Sequence, residues 1–212
     1  VHDNSTTTDG TFTVTQGKLE GKALTQLNFD GSNDHINLGS PADLDDLAEN
    51  AFTASCWFKS DVANDSTDRH IIGNAWDEAG WQMRKVADGT MRCAILTSGS
   101  AHLISSSATV ISTGRWYHMV MAYNGDEAAG DLSLYIDGVL QSTGTLSGTL
   151  ASNTSVVDTW IGGLSLETAK SWDGKIRDVR IYDGLQLSAD QVSSLYSGSY
   201  NVTPSHWWKL DD

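Results

Sequence analysis

At 212 residues the chain has room for one large β domain or two small ones. It carries 27 Asp+Glu against 13 Lys+Arg, a formal net charge of −14, which argues against nucleic acid and anionic membrane surfaces, both of which are held by basic patches. The balance suits a soluble extracellular protein, an uncharged partner such as a glycan, or a halophilic setting, and no apolar run reaches the length of a membrane span.

The first 22 residues are polar, with a strand-like Thr11–Thr15 between glycines. Leu24–Gly39 follows, in which Leu27/Phe29 and Ile36/Leu38 alternate with polar residues as two half-buried strands should. Their connection gathers Asp30, Ser32, Asn33 and Asp34 around Gly31: a turn in the simplest reading, half of a calcium shell in the other. Ser40-Pro41 with Asp43 behind it reads as the capped start of one or two helical turns.

Phe52–Lys59 is a strand, and Asp61–Asp68 is a polar loop. Strands are then expected at Arg69–Gly73, Trp81–Val86 and Met91–Thr97, the last two joined through Asp88-Gly89 in a two-residue type I′ turn. A weaker strand at His102–Ser105 precedes the long apolar run from Gly114 to Gly125. Leu132–Gln141 is a hairpin around Asp137-Gly138, Thr159–Gly163 a short strand, and Asp173–Gly184 a long one between two Asp-Gly turns. Along this last strand, plain alternation puts Ile176, Asp178 and Arg180 on one face and Arg177, Val179 and Ile181 on the other. Ser188 and Gln191 form a capping box for a helix whose apolar face is Val192, Leu195 and Tyr196, ended by Gly198. Many short strands at near-regular spacing with Asp/Asn-Gly turns make an all-β fold, a two-sheet antiparallel jelly-roll sandwich with one or two short helices. No composition break or Pro-rich linker divides the chain, so residues 1–212 read as one domain.

The order of segments carries a family resemblance. Leu-Asn-Phe-Asp-Gly-Ser-Asn-Asp, Phe-Thr-Ala-Ser-Cys-Trp-Phe-Lys, Gly-Arg-Trp-Tyr-His-Met-Val, Leu-Tyr-Ile-Asp-Gly-Val-Leu, Trp-Ile-Gly-Gly, Gly-Lys-Ile-Arg-Asp-Val-Arg-Ile-Tyr and the Leu-Ser-Ala-Asp-Gln helix together resemble a laminin G-like, concanavalin A-like jelly roll of the pentraxin-related bacterial and viral branch. The match runs over about residues 20–200. Residues 205–212, Ser-His-Trp-Trp-Lys-Leu-Asp-Asp, resemble the first strand of such a module, either closing this sandwich or opening a following repeat in a longer modular chain.

The resemblance implies a non-catalytic carbohydrate-binding or adhesion module, secreted or displayed on a cell or virion surface, with one structural calcium ion. It also implies that a carboxylate from the last long strand completes the metal shell. The expected ligands are therefore Asp30, Asn33, Asp34, the His35 carbonyl and Asp178. For the glycan, Trp76 and Trp172 sit in loops beside carboxylates and suit stacking against a sugar ring, with Asn74, Asp77, Glu78 and Arg84 as hydrogen-bonding partners. Trp57 and Trp116, inside periodic strands, read as core.

Catalysis and a purely structural role are the alternatives. A glycoside hydrolase of this fold would carry alternating carboxylates on one strand, and a serine hydrolase a Gly-x-Ser-x-Gly elbow; neither pattern occurs. A spacer or decoration domain of a virion or surface protein, with no ligand of its own, is the other alternative. Cys56 and Cys93 are either a bridge or two buried thiols, and the six histidines show no metal-ligand spacing.

Overall fold

The computed structural model describes residues 11–13, 27–45, 47–62, 64–75, 80–97, 100–105, 110–125, 131–145, 158–164, 170–200 and 202–210. Among these described residues fourteen strands run in chain order: β1 (Thr11–Thr13), β2 (Asn28–Asp30), β3 (His35–Asn37), β4 (Phe52–Ser60), β5 (Arg69–Gly73), β6 (Gly80–Lys85), β7 (Met91–Thr97), β8 (Ser100–Ser105), β9 (Trp116–Tyr123), β10 (Asp131–Ile136), β11 (Val139–Thr145), β12 (Trp160–Ile161), β13 (Asp173–Asp183) and β14 (His206–Trp208). Among the described residues two helices accompany them, α1 (Ala42–Asp45) and α2 (Ala189–Tyr196), with a 3-10 turn at Leu47–Glu49.

The strands form two sheets, ordered β1-β3-β12-β5-β6-β7-β8 and β11-β10-β9-β4-β13-β14, with β2 also paired to β13. Pairing is antiparallel throughout except between β1 and β3, which run parallel. The main core lies between the sheets and is supplied by alternate positions, as a half-buried strand requires. Phe52, Ala54, Cys56 and Phe58 of β4 meet Ile72, Trp81, Met83 and Cys93 of the facing sheet within one buried cluster. Cys56 and Cys93 are free buried thiols on opposite sheets, and burial raises both above the ordinary thiol range.

A second, smaller core lies on the outer face of the β4 sheet. There Val192 and Leu195 of α2 pack with Val120, Ala122, Tyr135, Tyr182 and Leu187. The helix begins with the expected capping box: the Ser188 N–H donates to Gln191 Oε1 at 2.8 Å, and the Gln191 N–H donates to Ser188 Oγ at 3.4 Å. Tyr196 departs from expectation. It points away from this core, exposed, with its ring stacked on Trp57.

Two turns also differ from each other. Asp137 and Gly138 both have positive φ, 51° and 77°, as a type I′ turn demands, and Ile136 pairs directly with Val139. At Asp88-Gly89 only Gly89 is left-handed, and the Val86 N–H donates to Thr90 O at 2.9 Å across a longer loop. The reason is local: Asp88 Oδ1 accepts from both the Thr90 N–H and the Thr90 hydroxyl, a side-chain turn that holds Asp88 out of the left-handed region.

Candidate functional site: the outer face of the β4–β13 sheet

Long β13 does not alternate simply. Asp178 has a φ of 52°, and the pairing with β4 shifts register between Arg177 and Arg180, the mark of a β-bulge. Ile176, Val179 and Ile181 consequently point into the core while Arg177 and Arg180 share the outer face, which corrects the expected grouping of Ile176, Asp178 and Arg180.

The bulge also places Asp178 away from the turn at Asp30–His35. β2 does pair with β13, but Asp30 stands opposite Asp173, five positions from Asp178 and roughly 16 Å along an extended strand. Asp178 is bound elsewhere: both of its oxygens accept from the Arg180 guanidinium, at 2.9 and 3.0 Å, and Oδ1 accepts from Trp207 Nε1 at 2.6 Å.

The other residues named for calcium stand together at their own turn. Asp30 Oδ1 accepts the Ser32 N–H at 2.9 Å and Asp34 Oδ2 accepts the Asp30 N–H at 3.0 Å, so both carboxylates brace their own turn. His35 Nδ1 lies 2.7 Å from the Asn33 carbonyl, and the Gly31 carbonyl accepts from Arg69 Nη1 at 3.3 Å. Among the described residues no group of three or more His, Cys, Asp or Glu is arranged to hold a metal ion.

Arg69 provides the positive charge at this junction. Its Nη1 also donates to Ser171 O at 2.8 Å, and Asp65 takes Nε and Nη2, each at 2.6 Å. A Cβ at Gly31 would meet Arg69 Nη1 at 2.9 Å, so the turn closes onto the guanidinium only because that side chain is absent. Burial raises the Asp173 carboxyl above its ordinary range; Asp61, Asp65 and Asp30 add to the shift, and Arg69 opposes it.

The residues expected to hold a sugar are dispersed. Trp172 is 0% exposed and lies edge-on to Phe58 in the main core, because its backbone is pinned between Gly162 O and the Gly31 N–H. It has no face to offer a ligand. Asn74 is buried as well: its Oδ1 accepts the Trp81 N–H at 3.1 Å and its Nδ2 donates to Leu44 O at 3.4 Å, fastening loop to core. Arg84 forms an ion pair with Asp68 at 3.2 Å beside buried His70. Trp76, Asp77 and Glu78 lie outside the described residues.

A different set of residues converges instead. Trp57 and Trp116, expected in the core, are on the outer face and only half-buried; their inward neighbours are Cys56, Phe58 and Tyr117. Pairing sets up two adjacent rows across β9, β4 and β13: His118–Trp57–Arg177, then Trp116–Lys59–Lys175. The Arg177 guanidinium lies 4.4 Å from the Trp116 ring centre and 5.6 Å from that of Trp57, and Lys59 Nζ lies 5.7 Å from that of Trp116. Tyr196 at the end of α2 borders the rows, stacked on Trp57 with centroids 5.6 Å apart. On β14, Trp207 is 45% exposed, with Arg180 at 4.6 Å and Lys209 at 5.0 Å from its ring centre.

The signal for this face was in the sequence. Trp57 is in phase with Thr53, Ser55 and Lys59, the polar half of β4, and Phe52, Ala54, Cys56 and Phe58 already supply the apolar half.

A family model described as the concanavalin A-like lectin/glucanases superfamily, Laminin_G_3, matches residues 30–193. The chain belongs to this superfamily. Curated protein sequences hold no match to it. Solved structures agree with the superfamily fold. A heptameric SAP-like pentraxin from Limulus polyphemus is 20% identical with a TM-score of 0.61, covering 87% of this chain and 88% of that one. Domain 4 of the extracellular GH43 arabinanase AbnA from Geobacillus stearothermophilus, in complex with arabinotriose, is 24% identical with a TM-score of 0.51, covering 69% and 66%. The CBM40 of a Ruminococcus gnavus IT-sialidase, bound to α2,3 sialyllactose, is 13% identical with a TM-score of 0.58, covering 82% and 100%. These structures share the sandwich fold with this chain; no helix among its described residues is long and apolar enough to cross a membrane.

Proposed function

We propose that the protein is a non-catalytic carbohydrate-binding module that works outside the cell or on a surface, as part of a longer modular chain. The observation that carries this reading is the band of partly open aromatic side chains, Trp57, Trp116, Tyr196 and Trp207, on one face of a rigid sheet. Indole and phenol rings offer flat apolar area for the C–H face of a pyranose, and the neighbouring Lys and Arg supply donors for its hydroxyl rim. The structures of similar fold solved with arabinotriose and sialyllactose support a saccharide partner. In this reading Arg69, whose Nη1 reaches the Gly31 carbonyl, is the cation that holds the Asp30–His35 turn.

A glycan array with neutral and acidic saccharides tests the proposal. The expected result is binding that Trp207→Ala abolishes while the melting temperature stays within about 2 °C, because a side chain this exposed adds little to stability. An array with no binding would instead support the spacer or decoration role.

A further inference from the structure

The β13 bulge does more than set the direction of Arg177 and Arg180: its left-handed residue holds an open tryptophan. Trp207 and Arg180 stand directly opposite each other on β14 and β13, and the Arg180 guanidinium carbon lies 4.6 Å from the Trp207 ring centre. Asp178 fastens both. Its Oδ1 accepts from Trp207 Nε1 at 2.6 Å and from Arg180 Nε at 2.9 Å, and its Oδ2 accepts from Arg180 Nη2 at 3.0 Å. The Asp178 N–H donates to Lys209 O at 2.6 Å, so the chain just beyond Trp207 is tied to the same bulge.

Folding alone does not call for this arrangement. A left-handed backbone is strained for a residue with a Cβ, whereas glycine would adopt the φ of 52° freely. The carboxylate is bonded to an indole that is 45% exposed, where water competes for both partners and a hydrogen bond adds little to stability. The buried indoles of Trp81, Trp172 and Trp208, by contrast, have N–H groups without a partner among the described residues. What the Asp178 bonds supply is orientation. Strand β14 is three residues long and lies at the end of its sheet, and its pairing fixes the backbone but not the rotamer of an outward side chain.

Resting on the carbohydrate reading, we infer that Asp178 is a positioning residue of the saccharide site: it holds the Trp207 indole in one orientation, ready to receive the C–H face of a sugar ring. A side chain already ordered in the free protein loses less rotamer freedom on binding, so Asp178 raises affinity without touching the sugar. Arg180, bonded through two nitrogens to the carboxylate, fixes the carboxylate in turn.

Two measurements on the intact protein test this. The first needs no ligand. The Trp207 indole N–H resonance, assigned by its loss in Trp207→Ala, should relax like the rigid sheet backbone in the native protein. In Asp178→Gly, which suits the left-handed backbone and deletes the carboxylate, it should become mobile on the nanosecond scale or faster. The second is calorimetry with arabinotriose, sialyllactose and the strongest binder of the glycan array. Asp178→Gly should weaken binding by about three- to tenfold, the scale of ordering one side chain. Asp178→Asn tolerates the same φ and keeps an oxygen for the indole, and should stay within about twofold of the native affinity. Melting curves of both variants establish that loss of binding is not loss of fold. A mobile Trp207 indole in the native protein overturns the inference by itself, whatever the variants do. Asp178→Gly that frees the ring yet binds like the native protein, or Asp178→Asn as weak as Asp178→Gly, also overturns it and leaves the carbohydrate reading standing. No binding to any of these saccharides defeats both readings.

Discussion

Asp65 illustrates how a single side chain can tie together two neighbouring strands, β5 and β6. It pairs with Lys85, which is 0% exposed, and with Arg69, whose guanidinium reaches the Gly31 turn. Burial works against the Asp65 carboxylate, but the Lys85 and Arg69 contacts outweigh it and hold its pKa below the ordinary value. Asp65→Ala should therefore cost roughly 3 kcal/mol, the scale of a buried ammonium deprived of its main partner, read from the midpoint of urea unfolding. Trp172→Ala should cost about 4 kcal/mol through the cavity it opens beside Phe58, again by urea midpoint. A near-neutral result there would mean that the indole is not in the core. Sequence reasoning placed Trp172 on the surface because Lys-Ser-Trp-Asp-Gly is polar on every side. The burial arises from a contact with β4, more than 100 residues earlier, which no local pattern records.

Whole elements were easier to read than their faces. The strands at Arg69–Gly73 and Met91–Thr97, the Asp137-Gly138 hairpin and the capping box of α2 all follow from alternation, turn residues and cap chemistry within a few positions of each other. Those signals are local, and so they survive in the sequence. The β13 bulge is not local in this sense: it requires one left-handed aspartate, and its effect is to turn Arg177 and Arg180 to the same side. Period-two counting across it must fail. Alternation along β4 already turns Trp57 outward, but the rows of the candidate site exist only once β9, β4 and β13 lie in register. Helix α2 shows what secures an element against such a sheet. The Thr53 hydroxyl of β4 donates to Leu185 O at 2.8 Å and accepts the Leu187 N–H at 2.9 Å, clamping the segment that leads into the helix. Thr53→Val removes both bonds at nearly constant volume. It should destabilise the protein by about 1–2 kcal/mol and speed hydrogen exchange in α2 ahead of the sheet. Uniform exchange across helix and sheet would show that Thr53 has no special hold on this segment.

Across the molecule, two neutral histidines couple stability to pH. Burial lowers His70 to about 3, with Arg84 and Lys170 adding to the shift. Burial likewise lowers His118 to about 4, where Asp178 opposes the shift and Arg180 assists it. In the unfolded chain both imidazoles take up a proton near pH 6.5, so below that pH the unfolded state binds more protons than the folded one. The stability these groups contribute is complete above about pH 6.5 and falls as the pH drops toward 4, by at most about 1.4 kcal/mol per pH unit for each histidine. His118→Gln should remove one of the two contributions, visible as a shallower loss of urea midpoint between pH 7 and pH 5; an unchanged slope would exclude His118 as its source. The Arg69 junction gives a second whole-molecule expectation. Because a guanidinium ties the opening turn to Ser171 and Asp65, calcium and chelator should leave the melting temperature of the native chain unchanged, whereas Arg69→Ala should lower it by several degrees. A calcium-dependent rise in the native protein would show a metal bound to it.

Strand β13 sits between β4 and β14 and also receives β2. The β4 edge that it covers is therefore synthesised more than 100 residues before its partner. During translation the ribosome must expose that open edge, rich in apolar and aromatic side chains, until β13 emerges to cover it. Contacts of such long sequence separation place refolding in the slow, millisecond-to-second range of β sandwiches. They also make a polypeptide halted before Asp173 the species most prone to pair edge-to-edge with its own kind.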